Sequence, residues 1–225
     1  MKYGATDKSK LLYRSMVVLY LIFSFCTAAI YGVKRDLYHL FITLGTMLIP
    51  LGIWSLPKML KLKREYFLDL IVLGFAFLAY TLGSCVDLYK ILPGFDKLAH
   101  MLSGVFAGML ALCLYCVLKG ECRPRASDCA IVVLFVFFGS MAAAGMWEIG
   151  EYFVHMITGR DVQKVIATGI NDTMLDMIVC MIGTIMYLPS VKRFCSGKSS
   201  ILNNAVASFA KKNENRMKSG HCSEN

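Results

Sequence analysis

Apolar residues in this chain gather in six long runs separated by short, mostly charged gaps, at about 16–31, 37–56, 66–86, 98–118, 130–155 and 171–188. Each run approaches the roughly 20 residues that an α-helix needs to cross a bilayer. The runs lack the strict alternation of barrel strands, and backbone groups in hydrocarbon must pair within their own segment, so the pattern predicts helices. The expected fold is all-α, a polytopic bundle of about six transmembrane helices. The first run follows Lys2, Lys8, Lys10 and Arg14 and so has the outline of a signal sequence. It lacks a small-residue cleavage site, which makes it an uncleaved first helix. The sixth is expected to stop at Pro189. Beyond it the chain turns polar and basic, so the expected division is a transmembrane bundle over 1–191 and a flexible, basic cytoplasmic tail over 192–225.

Composition agrees with that class: 57% of the residues are hydrophobic, above the roughly 45–50% of soluble domains, and the mean hydropathy is +0.58. A formal charge of +9 raises the question of nucleic acid. The basic residues are dispersed through the gaps instead of forming one basic surface, so the expected partner is the lipid bilayer, with no nucleic acid. Their distribution carries topology. The N-terminus, 57–65, 119–128 and the tail hold eighteen Lys and Arg, against six in the alternate gaps around 32–36, 87–97 and 157–169. The positive-inside rule then places both termini in the cytoplasm.

With that topology three distant pieces fall at the same extracytoplasmic depth: FDKLAH at the start of the fourth helix, WEIGEYFVH at the end of the fifth and NDTMLDM at the start of the sixth. Asp96 and His100 are four residues apart, Glu148 and Glu151 three, Asp172 and Asp176 four, so each pair shares a helix face. Glu148 lies about 27 Å along its helix from Ala130, near the outer edge of the hydrocarbon, and His100 and Asp176 about 6 Å inside their helix starts. Carboxylates placed this deep must face the protein interior or water. They also repel one another unless protons, a cation, or Lys97, Arg160 or Lys164 compensate. Carboxylates with a histidine suit Mg²⁺, Mn²⁺, Fe²⁺ or Zn²⁺, although Glu148, Glu151 and His155 do not form the Glu-x-x-His pattern of di-iron bundles. The residues that point to acid–base work are His100 and Glu148; those that point to metal ligation are Asp96, Glu151, Asp172 and Asp176; those that point to substrate are Lys97 and Arg160.

Other polar residues have blander readings. Asp87 ends the third run and reads as a solvated helix terminus, Asp36 and His39 as interfacial, Asp69 as belonging to the opposite end, and Trp147 as an outer belt aromatic. Cys113 and Cys116 form a C-x-x-C pair inside a helix-forming run, without the turn of a zinc knuckle, and read as packing residues like Cys26, Cys85 and Cys180. Ser103, Gly104, Ala107, Gly108 and Ala111 offer a narrow face for close helix approach, and so does the stretch from Gly139 to Gly145.

FDKLAHMLSG, WEIGEYF and NDTMLDMIVCMIG together resemble the YjdF-like family of bacterial membrane-spanning proteins and, more remotely, VanZ-like membrane proteins, over about 95–187. Asp96, Lys97 and His100 match the D-K-x-x-H piece of the VanZ-like pattern. Glu148 matches its E-x-x-Q piece with Glu151 in place of Gln, Arg160 its loop arginine, and Asp176 and Gly183 its last piece with Cys180 in place of Asn. The Asp-Thr-x-x-Asp element at 172–176 is the more YjdF-like. The resemblance implies a multi-pass protein of the bacterial cytoplasmic membrane and, through the VanZ-like relatives, a role at the cell envelope.

Three functions fit these residues. The first is an enzyme, metal-dependent or acid–base, that acts on a lipid or lipid-linked envelope substrate. The second is an ion-coupled transporter, for which the inner halves of the last three helices supply no matching ionisable residues. The third is a non-catalytic envelope-binding or resistance protein.

Overall fold

The computed structural model describes residues 3–198 and 200–221. Among them there are helices and no strands, and six helical stretches are long and apolar enough to cross a membrane. The chain divides into two compact units, Met1–Phe95 and Asp96–Asn225.

The first unit holds α1 (Tyr3–Lys34), α2 (Leu37–Thr46), α3 (Ile49–Met59), α4 (Tyr66–Ala76), a π-helical continuation (Phe77–Cys85) and the single turn α5 (Leu88–Ile91). Side chains set the helix starts. Asp36 caps α2 by accepting from the His39 N–H at 3.2 Å, and Glu65 caps α4 by accepting from the Leu68 N–H at 2.8 Å. The second predicted span, expected to be continuous, is two helices with a break at Met47–Leu48. Pro50 explains it, because proline has no N–H to give to the carbonyl four residues back. That carbonyl belongs to Thr46, and the Tyr20 hydroxyl donates to it at 3.0 Å instead. Tyr20 also sits in the unit's core with Tyr13 and Leu73. Asp69, at the start of α4, pairs with Arg64 at 2.7 Å, and the guanidinium lies 5.0 Å from the Tyr13 ring centre and 5.2 Å from that of Tyr66.

The second unit holds α6 (Phe95–Lys119, whose first residue ends the first unit), α7 (Cys129–Thr158), the short α8 (Val165–Thr168), α9 (Asn171–Cys195) and α10 (Ile201–His221). Helix α7 has 30 residues, a length of about 45 Å, which exceeds the ~30 Å hydrocarbon layer. It ends at Gly159, which takes the left-handed conformation that favours glycine (φ 69°). Helix α9 does not stop at Pro189 but runs through it to Cys195. A proline removes one hydrogen bond from a helix, and packed neighbours can hold the remainder together. The segment read as a flexible tail carries α10. Ala205, Val206, Phe209 and Ala210 are buried along it, and it is tied to the end of α9 by polar bonds. The Tyr187 hydroxyl donates to Asn203 at 2.7 Å, and the Asn203 amide donates to the Ser190 carbonyl at 2.8 Å.

Close approach of α6, α7 and α9 positions what lies at their ends. A Cβ on Gly104 would strike the Cys180 carbonyl oxygen and come within 2.8 Å of the Thr184 nitrogen; one on Gly183 would strike the Met101 carbonyl. The two glycines thus let α6 and α9 meet backbone to backbone, as small residues do inside membranes. Ser140 of α7 completes the junction by donating to the Gly104 carbonyl at 3.1 Å and lying 2.8 Å from the Thr184 hydroxyl. The narrow face expected on α6 is used at Gly104 and Gly108, whereas Gly145 of α7 has nothing within 4 Å of where its Cβ would be.

Candidate functional site

One to two helical turns beyond this junction, the first turns of α6 and α9 bring Asp96, Lys97 and His100 against Asp172 and Asp176. Spacings of four place each acidic pair on one helix face, and the glycine contacts hold the two faces together. Glu148, Asp172 and Asp176 are buried.

Lys97 is the hub. Its ammonium donates to Asp172 Oδ1 at 2.6 Å, Asp176 Oδ1 at 2.7 Å and Asp96 Oδ2 at 3.1 Å, so all three of its protons have a carboxylate. Lys164, from the loop between α7 and α9, donates to Asp96 Oδ2 at 2.8 Å and lies 3.2 Å from Asp172 Oδ2. Burial pulls the pKa of Lys164 down, while its hydrogen bond to Asp96 and the charges of Asp96 and Asp172 push it up; the net shift is upward. The loop lysine is therefore firmly cationic at neutral pH.

His100 stands at the edge of this network. Its Nε2 is 3.7 Å from Asp96 Oδ1 and 3.7 Å from Asp176 Oδ1, too far for hydrogen bonds. The three groups each offer one ligand atom, and these atoms lie within 4.8 Å of one another. The Ser103 hydroxyl, one turn on, donates to the His100 backbone carbonyl at 2.7 Å.

The end of α7 supplies two more carboxylates. Glu148 accepts from the Gln163 amide at 3.3 Å through its side chain and at 3.0 Å through its backbone carbonyl, which ties the α7–α9 loop back onto the helix. Glu151, one turn from Glu148 on the same helix face, accepts from the Trp147 indole at 2.8 Å. Arg160 is exposed, and its carbonyl is 2.8 Å from His155 Nδ1.

A family model described as "Predicted membrane protein (DUF2238)" matches residues 13–195. The chain belongs to that family. No curated protein and no solved structure matches it. The YjdF-like assignment thus stands for this DUF2238 protein over residues 13–195, and that match shows no likeness to VanZ-like proteins.

Sequence reasoning placed Asp96, His100, Glu148, Glu151, Asp172 and Asp176 at one depth; the structure brings Asp96, His100, Asp172 and Asp176 together around Lys97, while Glu148 bonds to Gln163 and Glu151 to Trp147. That reasoning offered Lys97 both as a counter-charge and for substrate, and the lysine pairs with three carboxylates. Lys164 it named only as a possible counter-charge, and Gln163 it missed. No local signal marks a loop glutamine that folds back fifteen residues. For Lys164 the surplus of acid at one depth was the available clue. With Asp96, Glu148, Glu151, Asp172 and Asp176 ionised against Lys97 and Lys164, the site carries three more negative charges than positive ones, and buried charge of that kind demands a further cation or protons.

Proposed function

We propose that the second unit of this multi-pass protein is a membrane-embedded enzyme that uses a divalent cation, held by Asp96, His100 and Asp176, to act on a lipid or lipid-linked substrate from the extracytoplasmic side, with both termini in the cytoplasm. The convergence of those three donors, whose ligand atoms lie within 4.8 Å of one another, is the observation that carries the reading. Oxygen ligands with one imidazole suit Mn²⁺ or Mg²⁺ and also accommodate Zn²⁺. Lys97, Lys164 and Asp172 form the frame that fixes the two ligating carboxylates. An anionic phosphate headgroup would be repelled by this site without a metal and attracted with one, and a bound metal would also acidify a water molecule. Glu148, oriented by Gln163, is then the group to take the proton. The lipid class of substrate rests on the site's place at the ends of membrane-spanning helices.

Turnover tests this. Incubated with a total lipid extract in nanodiscs and followed by mass spectrometry, the wild-type protein is expected to form a product with Mn²⁺ and to lose at least about a hundredfold in rate in Glu148→Gln, within the range of general-base removal. A product formed equally fast in chelator overturns the metal role. If pH- or Na⁺-dependent solute flux appears instead, the transporter reading replaces the enzyme. Ligand retention with no product assigns an envelope-binding protein.

A further inference from the structure

The first unit contains a second polar feature, unrelated to the site above, that runs from one end of its helices into their middle. At the outer end His39 is buried between two aspartates: its Nδ1 is 2.6 Å from Asp36 Oδ2 and its Nε2 3.7 Å from Asp87 Oδ2. Asp87 also pairs with Lys90 at 2.9 Å. Tyr31 stacks on the imidazole, 4.9 Å between ring centres, and its hydroxyl donates to the Cys85 carbonyl at 2.6 Å. From there the polar contacts continue inward. Cys85 Sγ is 3.9 Å from the Thr46 hydroxyl, the Thr46 carbonyl accepts from Tyr20, and Tyr20 faces Thr81. His39 and Thr46 are seven residues apart on α2, so the seam descends about 10 Å along that helix.

Two facts mark the seam as a binding site. Ser24, one turn from Tyr20 on the same face of α1, and Thr81 are both fully buried, and neither hydroxyl has a hydrogen-bond partner of good geometry. Leaving one such group dry costs about 1–3 kcal/mol. The seam also lies where two membrane spans lose regular α-geometry. Pro50 breaks the second at Met47–Leu48, and the third is π-wound over Phe77–Cys85, with the Val86 N–H bonded to the Thr81 carbonyl five residues back. Irregular backbone at membrane depth is tolerated where it lines a wet or ligand-filled space, and π-segments gather at functional positions. The hydroxyls and carbonyls here are neutral, and the seam's carboxylates stand only at its mouth. That donor set suits water better than a metal ion.

We infer that the first unit holds a membrane-buried file of water, admitted at Asp36, His39 and Asp87 and ending on Ser24 and Thr81. Hydroxyl-radical footprinting of the full protein in nanodiscs tests it, because radiolysis of bound water oxidises the side chains beside it. Cys85 and Cys116 are both fully buried thiols and make a matched pair. Cys85 is expected to oxidise about tenfold faster than Cys116, as a thiol against ordered water should relative to one in a dry core. Equal rates overturn the inference. In Thr46→Val/Thr81→Val, which removes the hydroxyl beside Cys85 Sγ and the one at the seam's end, the Cys85 rate should fall towards that of Cys116; an unchanged fast rate would mean that label arrives by general solvent leakage and also overturns it. Because the wild-type comparison stands by itself, a double variant that fails to fold leaves the inference testable. A Cys85 rate that depends on replacing K⁺ by Na⁺ would assign the seam to a cation instead.

Discussion

Replacing Lys97 with methionine lowers the thermal midpoint of the purified protein by about 6–12 °C, as read by a fluorescence thermal-shift assay in detergent. The substitution keeps most of the stem and removes the charge that three carboxylates share. Breaking a buried pair by deleting one partner costs about 3–5 kcal/mol, most of it the penalty on the charges left behind. Lys97 retains 29% side-chain exposure, so the lower figure, about 3 kcal/mol, applies, and for a chain of this size each kcal/mol is worth about 2–4 °C. Because the cost lies in orphaned anions, Lys97→Met/Asp172→Asn should recover part of the loss. A fall of under about 2 °C in the single variant would mean that the carboxylates are not held ionised by Lys97.

Gly183→Ala and Gly104→Ala are expected to be comparably damaging, each at the top of the roughly 1–3 kcal/mol of ordinary overpacking or above it. At both positions the obstacle is a backbone carbonyl of the facing helix, which has no rotamer to change. Helices α6 and α9 must move apart, and with them Asp96 and His100 from Asp172 and Asp176. Gly145→Ala is the control. It sits in α7 with nothing near its Cβ position, so the change should be neutral or stabilising by helix propensity, up to about 1 kcal/mol. The same assay checks all three, and an intact midpoint in both Gly183→Ala and Gly104→Ala would contradict the packing described here.

How far these features could be read from the sequence depends on how local their causes are. Six apolar runs announce six spans because each run answers one requirement, burial of a length of helix in hydrocarbon. The pairing of Asp96 and His100 with Asp172 and Asp176 was also legible, since helix pitch and depth together put them on facing first turns. Lys97 was legible as one of three possible counter-charges but not as the hub, because residues adjacent on a helix point about 100° apart, so its neighbour's face says little about its own. Its long stem turns it towards α9, which only the packing at Gly104 and Gly183 brings near. Arg160 fits the motif by its place in the loop, but a loop's path is set by contacts such as that of Gln163 with Glu148. Pro50 was visible, and with it the freed Thr46 carbonyl; the Tyr20 hydroxyl that satisfies it comes from another helix. Helix α10 escaped notice because its apolar positions are few, although Ala205, Val206, Phe209 and Ala210 do recur at helical spacing.

A bound cation is what the chemistry proposed for the second unit depends on. Pulsed electron paramagnetic resonance of the protein reconstituted in nanodiscs and loaded with Mn²⁺ tests it most directly, by asking whether an imidazole nitrogen is bonded to the ion. One Mn²⁺ per chain with ¹⁴N modulation, the modulation absent in His100→Ala and binding lost in Asp176→Asn, is the expected result. Mn²⁺ that fails to bind stoichiometrically, or binds with no ¹⁴N coupling in the wild-type protein, would contradict it.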